Sequence, residues 1–484
     1  MKFYNRENEL NELETAGKIS ERHKILMVLT GRRRVGKTEL IHQFFSKTKG
    51  IYFFVNPRKT SSELLSEFSS IISSELSLPE YIKIGTWPSF LKVLFDASKE
   101  KRLVIAIDEF QRFLSIEPHI IFELQKEWDA HKGKLFLLIS GSSVGMVRKI
   151  FIEQKAPLFK RAHNILTIDP FGFEAVGRIL GDFGITGIEE KIKLYSIYGG
   201  IPMYYALIGD YNIADTLSSI DRLLLRELAP LKDEVSDILI EEFGREVPSY
   251  YSIITAIAIG KNTAKEICDY AGIKETSFAP YIENLSKVLG IVAKDVPATE
   301  KNPERSKKGR YFLKDNFFRF WFKYIYRNMS AYEIKNYAAI REKITSDLSS
   351  FIGRSFEQVC REFMLKLNRE GTPFFFEKIG RQWGKFRDEG GRNVYEIDIV
   401  ALSERSKEIL FCECKWQGNV DAQRVLEELK EKAKLVQWNN GTRKEYYAIF
   451  AKSFRERMKE PNLLLFDLAD LEEMVKAPQS SREK

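Results

Sequence analysis

The sequence contains little cysteine and histidine. Its 484 residues include four cysteines, Cys268, Cys360, Cys412 and Cys414, of which only the last two are close together. So sparse a set does not form a disulfide framework, and one Cys-x-Cys pair without nearby His or Cys lacks the spacing of a metal site. No histidine follows His163. Chemistry in the C-terminal two thirds must therefore rest mainly on carboxylates, lysines and hydroxyls.

Long apolar segments are also missing. The longest runs, such as Leu135 to Ile139, fall far short of the ~20 residues that span a bilayer, and the polar N-terminus has no secretory apolar segment. We therefore expect a cytoplasmic protein without membrane contact. A hydrophobic content of 44% and a charged content of 30% are typical of a soluble globular protein. The net charge of +8 permits a nucleic-acid partner without requiring one.

Residues 31–38 read Gly-Arg-Arg-Arg-Val-Gly-Lys-Thr and match the phosphate-binding loop G-x-x-x-x-G-K-[ST]. An apolar stretch of strand length precedes the loop, and a segment with helical spacing follows it. Glycines let the backbone approach phosphates, and the N–H groups at a helix N-terminus point at the anion. Lys37 would reach the terminal phosphates and the Thr38 hydroxyl would ligate magnesium. The pattern predicts that ATP and Mg²⁺ bind here, with the nucleotide held by Gly31, Arg32, Arg33, Arg34, Val35, Gly36, Lys37, Thr38 and Glu39.

A second nucleotide signal is an apolar run over residues 102–107 that ends in Asp108 and Glu109. It predicts a buried parallel strand whose end delivers two acids to the nucleotide. Asp108 would hold magnesium, and Glu109 would polarise the water that attacks the γ-phosphate. The next predicted strand ends in hydroxyls, and either Ser140 or Ser142 would bind that water or the γ-phosphate. Strands alternate with helices, which predicts a parallel sheet covered by helices.

These motifs resemble the archaeal-type P-loop ATPases, a branch of the AAA+ and STAND nucleotide switches of archaea and bacteria. The arginine-rich loop is characteristic of that family. Residues 3–10, Phe-Tyr-Asn-Arg-Glu-Asn-Glu-Leu, resemble its N-terminal box, which implies that Arg6 lies beside the adenine.

Two further segments resemble the same family. Residues 157–161 resemble a segment that carries an arginine, which implies that Arg161 stabilises charge on the γ-phosphate, in cis or across a subunit boundary. The alternative is a solvated surface arginine. Gly199-Gly200-Ile201-Pro202 resembles the hinge of the helical lid, so the resemblance implies that Pro202 belongs to the nucleotide site; a helix-capping turn is the alternative.

The middle of the chain predicts a winged helix-turn-helix. Helical segments at 262–273 and 277–289 are followed by short strands at 290–292 and 311–313 around a charged loop. DNA contact by the second helix and a structural or protein-contact role both remain open. The loop is basic, and it either contacts phosphates or is only solvated, through Lys301, Arg305, Lys307, Lys308 and Arg310.

The last 130 residues predict strands near 374–380, 395–401 and 409–416, with an acid on the second and Glu-x-Lys on the third. Side chains two apart in a strand share a face, so Glu413 and Lys415 point together. Asp398, Glu413 and Lys415 resemble the signature of the PD-(D/E)XK nuclease superfamily. The resemblance implies that Asp398 and Glu413 hold magnesium, that Lys415 activates the attacking water, and that Glu357 is the accessory acid. A fold that kept these acids for structural reasons, or that binds nucleic acid without cutting it, is the alternative.

The fold class that follows is multidomain α/β. We predict a P-loop ATPase core over residues 1–180, a helical lid over 181–244, a winged helix-turn-helix over 245–335 and a restriction-endonuclease-like α/β domain over 336–484. The leading hypothesis is an ATP-hydrolysing switch that acts on DNA through a magnesium-dependent nuclease-like domain. The alternative is a regulatory or scaffold ATPase whose C-terminal domain binds a protein or nucleic-acid partner, with nucleotide state controlling assembly into homo-oligomers. A third hypothesis is a transcription regulator that acts through the winged helix.

Overall fold

The computed structural model describes residues 2–79, 81–142, 144–244, 247–388 and 391–476. The chain divides into two compact units, the first comprising Met1–Pro170 with Glu283–Leu289 and the second comprising Phe171–Ile282 with Gly290–Lys484. Each unit contains its own five-stranded sheet. Within the described ranges, every helix is too short or too polar to cross a membrane.

The first unit alternates strands with helices. Its elements are α1 Glu7–Ile19, β1 Ile25–Thr30, α2 Lys37–Phe45, β2 Ile51–Phe54, α3 Ser61–Leu76, α4 Trp87–Glu100, β3 Leu103–Asp108, α5 Phe113–Ile116, α6 His119–Ala130, β4 Leu135–Gly141, α7 Val144–Phe151 and β5 Asn164–Thr167. The sheet is parallel throughout, in the order β2-β3-β4-β1-β5.

The strands β1, β3 and β4 are buried along their whole length. One face of the sheet packs on α3, α4 and α6 and the other on α1 and α2, which explains why these strands read as continuous apolar runs. Since all five strands are parallel, the carboxyl ends of β1, β3 and β4 lie at one edge, where parallel sheets bind their ligands.

The second unit begins with helices and ends with a mixed sheet. Its helices are α8 Phe173–Asp182, α9 Ile188–Tyr198, α10 Pro202–Asp210, α11 Thr216–Leu223, α12 Glu234–Phe243, α13 Val247–Ala258, α14 Ala264–Ala271, α15 Phe278–Glu283, α16 Asn316–Phe320, α17 Met329–Glu333, α18 Tyr337–Arg369, α19 Ala422–Lys434 and α20 Leu468–Lys476. Its strands are β6 Val292–Asp295, β7 Arg310–Leu313, β8 Lys378–Asp388, β9 Gly391–Ser403, β10 Glu408–Lys415, β11 Lys444–Ala451 and β12 Leu463–Phe466.

The mixed sheet has the order β12-β11-β10-β9-β8. Strands β8, β9 and β10 are antiparallel, whereas β10, β11 and β12 are parallel. One face packs against α19 around Ile409, Phe411 and Leu429. Between Gly380 and Gln382 the pairing with β9 shifts by one residue. Such a β-bulge redirects side chains locally, and Asp398 lies within it.

The multidomain α/β class with a parallel sheet in the N-terminal part is confirmed, and the C-terminal sheet is a separate mixed one. Two elements differ from the sequence prediction. The strand expected near 374–380 lies instead at Lys378–Asp388, which is β8. The predicted bounds differ because glycines and charged residues in this segment obscure the alternation of polar and apolar side chains. The helix expected at 277–289 is α-helical only to Glu283 and continues as a short π-helix over Asn284–Val288. In the first unit, Val288 lies against Gly145 of α7.

Candidate functional site

The phosphate-binding loop connects the end of β1 to the start of α2. Gly31 has φ +149°, and a Cβ added there would lie 2.5 Å from the carbonyl oxygen of Ile168, so this position requires glycine. Arg34 and Gly36 also have positive φ values, of 67° and 99°. Val35 is fully buried in the core. The buried side chain of Val35 therefore anchors the loop in the core, and the loop backbone turns around this side chain.

Lys37 lies across the opening of this loop. It is 5% exposed, and its Nζ donates hydrogen bonds to the carbonyl oxygens of Gly31 at 2.8 Å and Arg32 at 2.9 Å. A charged ammonium group is thus held at the place where the loop amides would meet an anion. Among the other loop residues, Arg33 and Glu39 are exposed, and Arg32 and Arg34 are half-buried.

A hydrogen bond joins the loop to the end of β3. The Thr38 hydroxyl donates to Oδ2 of Asp108 at 2.7 Å, and the hydroxyl of Tyr52 donates to the same oxygen at 3.0 Å. Burial, together with the nearby Asp108 charge, raises the pKa of Tyr52. Asp108 is 2% exposed. Hydroxyl and carboxylate oxygens are the hard donors that Mg²⁺ prefers, so these residues fit that ion.

Glu109 is held by several donors in an uncommon backbone conformation. Its φ of 57° lies in the left-handed region, which for a non-glycine residue is often associated with function. Its Oε2 accepts hydrogen bonds from Gln111 Nε2 at 2.6 Å and Ser142 Oγ at 2.9 Å, and Arg112 Nε lies 3.5 Å away. None of these contacts uses Oε1. Ser140 is fully buried within β4, so of the two serines it is Ser142 that contacts Glu109.

Gln111 is a site residue that sequence reasoning missed. It also donates to Ser142 Oγ at 3.3 Å, so it bridges the segment after β3 to the segment after β4. No sequence motif signals this role. The bridge forms because β3 and β4 are neighbours in the sheet, although β3 ends at Asp108 and β4 begins 27 residues later, at Leu135.

Arg6 joins the N-terminal segment to the phosphate loop. It is 5% exposed, and its Nη2 donates to the carbonyl oxygens of Val35 at 3.3 Å and Asp169 at 2.6 Å. Its Nη1 donates to Oε1 of Glu9 at 2.8 Å. The structure thus brings Arg6 to the loop backbone, together with Asp169, which sequence reasoning did not single out.

Arg161 is paired elsewhere in the first unit. Its Nε and Nη2 each donate to a carboxylate oxygen of Asp129 at 2.8 Å, and its Nη1 donates to the carbonyl oxygens of Pro157 and Phe159. The hydrogen bond to Asp129 raises the pKa of Arg161. No hydrogen bond or ion pair links it to the described residues of the phosphate loop.

Pro202 belongs to the second unit, where it starts α10. The preceding Gly200 approaches another backbone closely, since a Cβ there would lie 1.9 Å from the carbonyl oxygen of Phe171. A glycine is therefore required at this turn regardless of any nucleotide.

The predicted C-terminal acids lie on α18 and the β9–β10 pair. Oδ2 of Asp398 accepts the backbone N–H of Cys414 at 2.9 Å. Burial raises the pKa of Asp398, and so do the charges of Cys414, Glu357 and Glu413. Glu357 forms an ion pair with Arg381. Burial raises the pKa of Glu357 in spite of that arginine. The acids are therefore close enough to repel one another.

Glu413 is bound by two ammonium groups. Its Oε2 lies 2.8 Å from Nζ of Lys415 and its Oε1 lies 2.5 Å from Nζ of Lys432. The residue is 3% exposed. Burial is the largest single influence and lowers the pKa of Lys415, but the charge of Glu413, the hydrogen bond to it and the charge of Asp398 together outweigh burial, and the net shift is upward. Lys432 comes from α19. Sequence reasoning missed it because 18 residues separate it from Glu413, so that no local pattern relates the two side chains.

As arranged, both carboxylate oxygens of Glu413 contact ammonium groups, so a metal ion would bind there only by displacing Lys415 or Lys432. Over the described part of the chain, no group of three or more His, Cys, Asp and Glu side chains is placed to hold a metal ion.

Comparison with known proteins matches the N-terminal part of the chain and a segment of its C-terminal half. A family model described as an ATPase domain predominantly from Archaea matches residues 3–208. A second model, of archaeal and bacterial proteins of unknown function, matches residues 321–426.

Relatives and a solved structure agree with these matches. An uncharacterized protein of Methanocaldococcus jannaschii is 33% identical over 478 residues, which cover 97% of this chain and 99% of that protein. A second uncharacterized protein of the same organism is 37% identical over 87 residues, covering 17% of this chain and 82% of that protein. The structure of a Walker-type ATPase of Pyrococcus abyssi matches with a TM-score of 0.52 and 22% identity, covering 66% of this chain and 96% of that one, which shows a shared fold. The chain therefore belongs to the archaeal ATPase family, with a C-terminal region shared with proteins of unknown function.

Proposed function

We propose that this protein binds ATP with Mg²⁺, hydrolyses it, and uses the hydrolysis as a switch that acts on DNA. One observation carries the ATPase part of the proposal. The Thr38–Asp108 hydrogen bond and the Glu109–Ser142 hydrogen bond join the phosphate loop, the end of β3 and the end of β4 at one edge of a parallel sheet. That edge is where this type of sheet binds nucleotides.

The contacts suggest a role for each loop residue. Lys37 would exchange the carbonyl oxygens of Gly31 and Arg32 for the terminal phosphate oxygens of ATP. Thr38 and Asp108 would hold Mg²⁺, which when bound neutralises charge on the phosphates. Arg6, next to the loop backbone, would border the adenine. We retain Arg32, Arg33, Arg34, Glu39, Ser140 and Pro202 as proposed nucleotide contacts.

Glu109 is the proposed acceptor of the proton from the attacking water. Two hydrogen bonds and an ion pair with Arg112 already involve its Oε2, which fixes the orientation of the carboxylate and leaves Oε1 for the water. Ser142 would act by positioning this carboxylate. Arg161 would have to leave Asp129 to reach a γ-phosphate, in cis or in a neighbouring subunit, and an ion pair of this half-exposed kind costs about 1 kcal/mol or less to break.

The DNA part of the proposal concerns the second unit. The helices α13 to α15 with the antiparallel pair β6–β7 and its basic loop support a winged helix-turn-helix. A mixed sheet that carries Asp398 on β9 and Glu413 and Lys415 on β10, with Glu357 on α18, supports a nuclease-like fold. We keep the domain limits of 1–180, 181–244, 245–335 and 336–484 as part of this proposal.

A second candidate is a switch whose C-terminal domain binds DNA or a protein without cutting. It is favoured by the two lysines on Glu413, because an acid that is already neutralised by Lys415 and Lys432 is poorly prepared to bind a metal. This candidate predicts nucleotide-dependent assembly and no metal-dependent cleavage.

The deciding experiment measures ATP turnover and DNA cleavage in the same preparations. Lys37→Ala should abolish turnover, whereas Asp398→Ala should abolish cleavage of linear, supercoiled or single-stranded DNA and leave turnover intact. The exposed residues Lys92 and Asp210 provide matched controls, Lys92→Ala and Asp210→Ala, which should change neither. Turnover that survives Lys37→Ala would contradict the ATPase proposal. Turnover without cleavage of any DNA would reject the nuclease and support the second candidate.

A further inference from the structure

The second unit contains a cavity of about 320 Å³ that includes no residue of the nucleotide site and shares Asp398 and Glu357 with the proposed metal chemistry. It is lined by residues of β6, β7, α16, α18 and the bulged part of the β8–β9 pair. Its volume lies at the lower end of the range in which proteins bind small ligands.

Cations outnumber acids in this cavity. Five cationic side chains line it against three carboxylates: Lys314, Arg319, Arg354, Arg361 and Arg381 against Asp295, Glu357 and Asp398. Two of the acids already have partners, since Glu357 is paired with Arg381 and Asp398 accepts the N–H of Cys414. The acids of the cavity therefore leave positive charge unbalanced.

Two of the arginines have no carboxylate partner within ion-pair distance. Arg319 is 6% exposed, its Nη2 donates only to the carbonyl oxygen of Phe351 and to the Ser355 hydroxyl, and its Nε has no acceptor. Arg354 makes no hydrogen bond or ion pair with the described residues, and its guanidinium lies 5.5 Å from the ring centroid of Phe312. Burial is the main cause that lowers the pKa of Arg319 to about 9, and the positive charge of Arg354 is the second cause. Arg319 is buried against neutral acceptors and the Phe351 ring, and Arg354 is half-buried, so neither guanidinium contacts a counter-charge. Because a charge withdrawn from water without a counter-charge is unfavourable, an anion in this cavity would be stabilised.

The remaining walls indicate what kind of anion fits. Phe312, Leu313 and Ile399 present apolar surface next to the arginines, which suits a ligand with an apolar body and a charged end. Guanidinium groups match phosphate oxygens in pairs of parallel hydrogen bonds. We propose that this cavity binds the phosphate group of a small ligand of nucleotide size, with Arg319 and Arg354 as the anchoring cations. This inference does not rest on ATP hydrolysis or on DNA cleavage.

The test is calorimetric titration of the full chain carrying Lys37→Ala, which weakens nucleotide binding at the phosphate loop. The probes are inorganic phosphate, adenosine monophosphate and adenosine. We expect the monophosphate to bind at least tenfold more tightly than adenosine. Arg354→Gln should weaken that binding about tenfold, as expected for the loss of a charge-assisted contact. Arg369→Gln, at the exposed end of the same helix, is the matched control and should bind like the parent.

The probes also separate two sources of the phosphate. Equal affinity for inorganic phosphate and the monophosphate would identify free phosphate as the ligand, and tighter binding of the monophosphate would identify a nucleotide. Phe312→Leu keeps the cations and should weaken only the monophosphate if the ligand is a nucleotide; it also serves if Arg354→Gln fails to fold. Absence of binding by both phosphate probes, or unchanged affinity in Arg354→Gln, would overturn the inference.

Discussion

The nucleotide site around the phosphate loop and the C-terminal carboxylate cluster both use acids carried by strands, yet these acids have different partners. At the loop, Asp108 accepts hydrogen bonds from the hydroxyls of Thr38 and Tyr52, which are neutral. In the cluster, each oxygen of Glu413 faces a lysine ammonium. Acidic side chains therefore form a site that is ready to bind a cation in one unit, whereas in the other unit lysines already neutralise the acid. The position of an acid on a strand is not sufficient to make a metal site.

The largest expected effect tests the loop half of this comparison. In Glu109→Gln, ATP should still bind, but turnover should fall about 10²–10⁴-fold, because the amide cannot accept a proton from water. The measurement is steady-state phosphate release together with nucleotide affinity.

The matched control for this variant is Glu100→Gln, an exposed position at the end of α4, which should retain parental turnover. If Glu109→Gln hydrolysed ATP at the parental rate, Glu109 would have only a structural role. The loop would then resemble the C-terminal cluster in having an acid whose contacts serve the fold.

The contrast also explains how much of each site could be predicted from sequence. The loop pattern specifies consecutive residues, so its backbone geometry follows from local chemistry: Gly31 and Gly36 adopt the positive φ values that the turn needs. The apolar runs predicted β1, β3 and β4 because helices cover both faces of the sheet. Gln111 escaped prediction because its partner Ser142 follows a different strand, β4, far along the sequence.

The C-terminal pattern specifies less. Period-two alternation correctly predicted that Glu413 and Lys415 share a face of β10, and Lys415 indeed contacts Glu413. It does not specify which side chain an adjacent helix places on that face, and α19 contributes Lys432. The bulge at Asp398 was likewise invisible, because a one-residue shift in pairing depends on both strands together.

The second prediction would bring the cluster closer to the loop. Lys432→Met removes the cation from Oε1 of Glu413 while keeping the length of the side chain. An opposite charge at about 4 Å is worth about 1 kcal/mol in water, so Mg²⁺ or Mn²⁺ affinity should rise about fivefold. The measurement is calorimetric titration of the metal in the Lys37→Ala background, where the phosphate loop contributes least.

Lys434→Met lies on the same helix, is exposed and pairs only with Glu431 among the described residues, so it is the matched control. Its metal affinity should equal that of the parent. An equal gain in both variants would mean that general surface charge, and not the ion pair with Glu413, governs metal binding, and the contrast between the two sites would lose its explanation.

The smallest expected effect is on stability, and its sign follows from the raised pKa of Asp398. The groups that face this carboxyl are Cys414, Glu357, Glu413, Arg381 and Lys415. An unfolded aspartate ionises near pH 4, whereas the folded one holds its proton to higher pH. Within that window the folded state binds more protons, so the contribution of Asp398 to stability falls as the pH rises.

Asp398→Asn cannot ionise and its side-chain oxygen can still accept the N–H of Cys414. Thermal denaturation in EDTA should therefore show a variant that gains stability relative to the parent between pH 4 and pH 8, with no such gain below pH 4. Each 1 kcal/mol gained raises Tm by about 2–4 °C in a unit of this size. Asp210→Asn, an exposed control, should show no pH-dependent gain. A variant that loses stability with rising pH would mean that the Asp398 carboxylate is stabilised by Arg381 and Lys415 more than it is penalised by burial, and the cluster would then be a structural ion-pair network.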